Sequence, residues 1–171
     1  DNMEASKFCT EAINLDTSRA YAWSLAGLAH KNEGDLEKAI EYFDIAKDKT
    51  DRYYNHVMLA DCYYYSGEYE KSRVICEEVP IVNPNWFTAQ SLIGDMYVIE
   101  GRLQKAFDQF DMISSSARKI PVWNELRFRD SETRSYAVNS RRLETTTRIE
   151  VIEKLKILAA ELDRPYTTKY L

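Results

Sequence analysis

The chain has 171 residues, a formal net charge of −5, 44% hydrophobic residues, and only 5 glycines and 4 prolines. That is enough apolar material for a continuous core and too little glycine and proline for long linkers. There is no run of eighteen apolar residues to cross a bilayer. The acidic balance repels phosphate at long range, so neither membrane nor nucleic acid is the expected partner.

Taken in chain order, NMEASKFCTEAINLDTS reads as an amphipathic helix with Ala5, Cys9, Ala12 and Leu15 on its apolar face, and with Asp16 to Ser18 capping the next element. Three units then repeat. Gly34, Gly67 and Gly101 lie 33 and 34 residues apart, each between an apolar stretch and a charged amphipathic one, and a period of this size marks stacked helical repeats. The units run from Ala20 to Arg52, Tyr53 to Trp86, and Phe87 to about Lys119.

In the first unit Trp23, Ala26, Gly27 and His30 share one helical face, and Leu36, Ala39, Ile40, Phe43 and Ala46 form the stripe of a second helix. The third unit repeats that stripe as Leu103, Ala106, Phe107, Phe110 and Ile113. The three periodic glycines stand where the chain must reverse, which the left-handed conformation achieves without steric cost. Gly27 and Gly94 instead sit on packed faces and allow a neighbouring helix to approach closely.

Beyond the third unit the pattern fails. Lys119 to Thr147 has no glycine and three consecutive threonines, which restrict χ1 in helix interiors, and it reads as a degenerate fourth unit. Arg148 to Leu162 reads as another amphipathic helix, and DRPYTTKYL as a turn followed by the start of a further one. The expected organisation is a second helix of a partial repeat over 1–19, three full units over 20–119, and a degenerate repeat with a C-terminal helix over 120–171. The array is expected to be an excerpt of a longer solenoid, beginning and ending inside a unit.

The chain at this point resembles the tetratricopeptide repeat family, whose signature is an aromatic, a Leu-Gly pair and a Tyr on the first helix, Ala and Phe on the second, and a closing Pro. Trp23, Gly27, Gly34, Ala39, Phe43 and Ala46 supply it in the first unit. Leu59, Tyr63, Gly67 and Pro84 supply part of it in the second, where Ser72 and Cys76 replace the usual Ala and Phe. Gly94, Tyr97, Gly101, Ala106 and Phe110 supply it in the third. The resemblance implies an all-α fold, a right-handed α-solenoid of stacked antiparallel helix pairs.

Chemistry finds no foothold in the residues. Cys9, Cys62 and Cys76 form no metal-spaced pair, and each falls on a helix as a small apolar group, a usage that fits a reducing, cytoplasmic or nuclear setting. His30 and His56 occupy packing positions, and phosphate loops and nucleophile elbows are absent. No enzyme activity and no cofactor are expected. Up to Ala117 there are 20 acidic and 11 basic residues, and after it 8 acidic and 12 basic. Arg118, Lys119, Arg127, Arg129, Arg134, Arg141 and Arg142, interleaved with Trp123, Phe128 and Tyr136, read as a solvated face before they read as a nucleic-acid surface.

The resemblance implies a binding groove lined by first helices. It carries that role onto Tyr21, Ser24, Leu28, Lys31 and Asn32; onto Tyr54, Val57, Asp61, Tyr64 and Tyr65; and onto Thr88, Ser91, Asp95, Val98 and Ile99. Tyrosines suit it to a peptide or partner helix, and Asp61 and Asp95 point to a ligand with basic or donor groups. Chaperone-binding members hold a carboxylate with Lys, Arg and Asn, whereas Tyr21, Leu25, Tyr54, Met58, Thr88 and Leu92 stand at the matching places, so no such clamp is expected. The expected function is a non-enzymatic interaction scaffold, able to self-associate through an uncapped end. The alternative is a regulatory repeat segment of a larger enzyme or DNA-binding regulator.

Overall fold

The computed structural model describes residues 2–50, 52–80, 83, 85–116 and 150–163, the side chains of 2–6 and 115–116 excepted. The degenerate unit expected over Lys119 to Thr147, its arginine cluster, Pro84, the Ala5 side chain and residues 164–171 lie outside the described residues. Among the described residues all regular structure is α-helical. The chain divides into two compact units, Asp1–Val79 and Pro80–Leu171.

The first unit holds α1 (Asn2–Leu15), α2 (Ala20–Glu33), α3 (Leu36–Asp48), α4 (Tyr53–Tyr65) and α5 (Tyr69–Glu77). Each helix packs on the next in sequence, and α2 also touches α4. Ala39, Phe43, Leu59 and Cys62 form one buried centre, closed over by Leu28, Ile40, Tyr54, Met58 and Tyr63. The second unit holds α6 (Trp86–Ile99), packed on α7 (Leu103–Ser116), and α8 over 150–161, whose Val151, Leu155, Leu158 and Ala159 are buried.

The hairpin turns are the same three times. Gly34, Gly67 and Gly101 take φ of 83°, 83° and 72°. Each glycine N–H donates to the carbonyl three residues back, and the following residue's N–H donates to the one five back, as in Gly34 to Lys31 and Asp35 to His30, at 2.8 to 3.1 Å across the three turns. This double bond pattern satisfies orphan carbonyls of the helix end without any side chain. Asp35 then caps α3 by accepting from the Lys38 backbone N–H.

Close packing between the two helices of a hairpin is set by paired sizes. A β-carbon on Gly27 would meet the Phe43 ring at 3.1 Å, and one on Gly94 would meet Phe110 at 2.4 Å. In the repeat between them Ala60 and Cys76 hold the corresponding places, both fully buried. The smaller second-helix residue is accompanied by a larger first-helix one, as constant packing density requires.

Two expectations for the opening segment need correction. Ala12 and Leu15 are exposed, Leu15 by 87%, while Ile13 is buried and packs with Ala22 and Ala26, Cys9 lying at the margin. α2 draws the Cys9–Ile13 line toward itself, a rotation away from the line read from the sequence. Asp16 does not cap α2 either, because Arg19 holds that place without a side-chain bond. Its carboxylate accepts from the Ser18 hydroxyl and N–H and from Arg19 Nε, and these bonds, the hydroxyl's first, hold it below the usual carboxylate range.

Candidate functional site

The face nominated in the first unit is carried by α2 and α4, and a buried polar seam joins them. Ser24 Oγ lies 2.7 Å from Asn55 Oδ1 and 2.9 Å from the Ala20 carbonyl. One turn or two further on, Lys31 forms an ion pair with Asp61. Burial by itself lowers the lysine pKa, but the hydrogen bond and charge of Asp61 outweigh it and raise the group above its ordinary value. The ammonium also lies 5.7 Å from the centre of the Tyr65 ring, within cation–π range.

Around this pair stands an aromatic group. Tyr64 meets Tyr65 edge-on with centroids 5.3 Å apart and Tyr69 at 5.8 Å. Tyr65 is nevertheless 64% exposed, as Tyr21 is at 70%. Tyr54 is half-buried, and that burial pushes its phenol above the ordinary range. Leu28 is half-buried against the centre between α3 and α4, and Asn32 is exposed.

Three nominated residues do not reach the surface. Ser24, Val57 and Ser91 share one register position, and all are buried. For Ser24 the cause is the bond to Asn55, which turns the hydroxyl into the α2–α4 seam. A short polar side chain on a first helix thus signals a helix contact here and offers nothing to a ligand.

In the second unit Asp95 takes both oxygens to Lys154 of α8 at 2.7 Å, and the same ammonium stands 5.3 Å from the Phe110 ring centre. Thr88 is half-buried, while Val98 and Ile99 are exposed. The acidic character read from Asp61 and Asp95 is therefore neutralised within each unit by a lysine. Lys154 was missed as a site residue because its pairing spans 59 residues and no periodicity links them.

The histidines and cysteines are held as packing groups. His30 lies against Tyr42, with ring centroids 5.2 Å apart. His56 lies against Tyr53 at 5.0 Å, and burial first and then Lys47 hold its pKa below the ordinary value. His56 borders an open pocket of about 360 Å³ with Lys47, Asp48, Thr50 and Tyr53, where Lys47 is already bonded to Asp48 at 2.8 Å. The three thiols are free, and burial pushes Cys62 up to about 11 and Cys76 up to about 12. Among the described residues no cluster of His, Cys, Asp and Glu could hold a metal ion, and no helix is long and apolar enough to cross a membrane.

Residues 20–46 match the tetratricopeptide repeat family model. Over 104 residues, 60% of this chain, the sequence is 27% identical to a tetratricopeptide repeat-containing protein of Methanocaldococcus jannaschii. The match spans 18% of that relative's length. Among solved structures, the chain is similar to the nearly identical tetratricopeptide-like repeats of a protein described as a kinesin light chain from Podosopora anserina, with a TM-score of 0.57 at 14% identity, covering 96% of this chain and 90% of that one. A single-substitution variant of those repeats gives 0.58 at 14% identity, covering 96% and 89%. The likeness is one of fold, an all-helical array of tetratricopeptide-like hairpins.

Proposed function

From a chain built on tetratricopeptide repeats, we propose a non-enzymatic protein-interaction scaffold that seats a peptide or partner helix on its first-helix face. Repeats of this family generally bind protein partners. The observation that carries the reading is Tyr65, an exposed aromatic held between Tyr64 and the Lys31 ammonium. An aromatic already fixed by its neighbours loses little side-chain freedom on binding, which is what a hot spot requires.

Tyr21, Asn32, Tyr54 and Tyr64 extend that surface in the first unit, and Val98 and Ile99 supply an apolar one in the second. Basic groups on a ligand would compete with Lys31 and Lys154 for Asp61 and Asp95, so recognition rests on aromatic and apolar contact before charge. The absence of Lys, Arg and Asn at the clamp positions supports a partner other than a chaperone C-terminus. Three free thiols, Cys62 and Cys76 buried among them, support a reducing, cytoplasmic setting. A second reading, a repeat segment serving a catalytic or DNA-binding domain, draws on the greater length of the Methanocaldococcus relative.

The test is selection of peptides from a displayed library on the folded protein, followed by calorimetric titration. Tyr65→Ala is expected to cost about 2 kcal/mol in affinity, as a hot-spot truncation does. Unchanged affinity of selected peptides for the folded variant would place the working surface elsewhere.

A further inference from the structure

Counted back from its closing turn, α8 repeats the pattern of the first helices. Asp163 follows it with φ of 49°, and its N–H donates to the Ala160 carbonyl at 3.3 Å, as Gly34, Gly67 and Gly101 follow α2, α4 and α6. Among the described residues no other non-glycine has a positive φ. Val151, Leu155 and Leu158 stand twelve, eight and five residues before that turn and are buried, as are Asn55, Leu59 and Cys62 at the same places on α4. The same three places on α2 and α6 are buried too. Residues 117–149 therefore separate α7 from a helix that resumes the repeat, whereas 49–52 suffice between α3 and α4.

In this register the two junctions between first helices can be compared place by place. On α2 and α4, Leu28, six before its turn, and Met58, nine before its own, pack on one centre that includes Phe43. Lys31, three before its turn, pairs with Asp61, six before its own. On α6 and α8 the same places carry the opposite chemistry. Asp95, in the place of Leu28, holds Lys154, in the place of Met58, through both oxygens at 2.7 Å. That ammonium lies 5.3 Å from the ring centre of Phe110, the counterpart of Phe43. Val98 and Ile157 stand where Lys31 and Asp61 stand. The apolar pair and the ion pair have changed places.

We propose that α8 is the first helix of a further repeat, and that this transposition is a key that fixes which helix the α6–α7 seat accepts and in what register. A methionine opposite Asp95, or a lysine opposite Leu28, leaves a partly buried charge without a partner, and that costs more than a matched pair of either kind gains. Polar pairs set among apolar contacts specify partner and register in paired helices on the same principle. A short connection delivers α4 to its seat. The longer one before α8 leaves that choice to the side chains, and misassembly is a characteristic fault of repeat chains. Lys154 and Asp95 act as specificity-determining residues of the fold, with Val98 and Ile157 as the second half of the key.

Hydrogen exchange read by mass spectrometry on the whole chain follows the seating of α8 through its amides. Asp95→Leu alone and Lys154→Met alone are each expected to speed exchange over 150–161 by at least about tenfold, because each strands the other partner. Asp95→Leu with Lys154→Met transplants the Leu28 and Met58 pair and should return exchange to within about threefold of the parent. The register has its own test. Asp95→Leu with Val98→Lys changes the α6 half of the key and should release α8, and adding Lys154→Met and Ile157→Asp completes the copy of the α2–α4 junction and should seat it again. Single variants that exchange like the parent, or a transplanted pair that exchanges as fast as the single variants, overturn the key. A completed copy no slower than its α6 half overturns the register by placing Ile157 away from Val98. Equal acceleration across α6, α7 and α8 also overturns the proposal, since it reports loss of the whole unit and not release of one helix.

Discussion

The pairing of residue sizes across each hairpin makes a quantitative prediction at Gly94. A β-carbon there would stand 2.4 Å from Phe110 Cε1 and 2.6 Å from Cζ, about 1 Å inside ordinary contact. Phe110 is fully buried and cannot swing into solvent. Gly94→Ala is therefore expected to destabilise by about 1 to 3 kcal/mol, despite the gain of roughly 1 kcal/mol that alanine brings to a helix. Phe110→Cys alone should cost about 3 kcal/mol by leaving a cavity. In that background the ring is gone, the pair becomes the Ala–Cys combination of the preceding repeat, and Gly94→Ala should stabilise by about 1 kcal/mol through propensity alone. The coupling read from the double-mutant cycle is then about 2 kcal/mol or more, measured by urea denaturation followed at 222 nm. At Gly27, where the ring is 3.1 Å away, strain and propensity should nearly cancel. A Gly94→Ala effect of the same sign and size in both backgrounds would show that size pairing does not govern the hairpin.

Lys31→Met should destabilise the chain by about 1 to 3 kcal/mol, since it strands the mostly buried Asp61 carboxylate. Because the folded-state pKa of Lys31 is raised, the pair's contribution is complete below about pH 10 and lost as pH rises through the raised value; urea midpoints of parent and variant should converge as pH rises past it. His56 has a lowered folded-state pKa, so its contribution is present above about pH 7 and lost as pH falls through the depressed value. His56→Gln, which installs the residue found one repeat later at position 90, should flatten the stability profile between about pH 5 and 7. In thiol titration with Ellman's reagent, half-buried Cys9 should react first, and Cys62 and Cys76 only on unfolding in urea; prompt reaction of three thiols in the native state would contradict their burial.

Helix positions and reversals were legible because they depend on local chemistry. Periodic apolar residues define a face, and Gly34, Gly67 and Gly101 meet a backbone requirement that few other residues meet. What a face touches was less legible. Ile13 replaced Ala12 and Leu15 in the interior of α1 because the position of α2 chooses between adjacent lines of a helix. Ser24 looked like a groove residue until Asn55 claimed its hydroxyl. Asp61 and Asp95 read as free charges because their lysines lie 30 and 59 residues away along the chain, and hydrophobic spacing carries no record of partner identity. Tyr64 and Tyr65 were nominated alike in the sequence for the same reason, and only the structure separates the half-buried Tyr64 from the exposed Tyr65.

The three reversal glycines differ from Gly27 and Gly94 in what surrounds them. A β-carbon added at Gly34, Gly67 or Gly101 would meet nothing within 4 Å, so these sites select for handedness and are indifferent to bulk. A mirror-image residue favours the positive φ that an ordinary alanine resists. A semisynthetic chain with D-alanine at Gly34 would keep the native turn while restricting the unfolded chain, a change of the kind that stabilises by about 0.4 to 1 kcal/mol. L-alanine at the same position, identical in composition and volume, would weaken the fold, leaving stereochemistry as the sole variable between the two products.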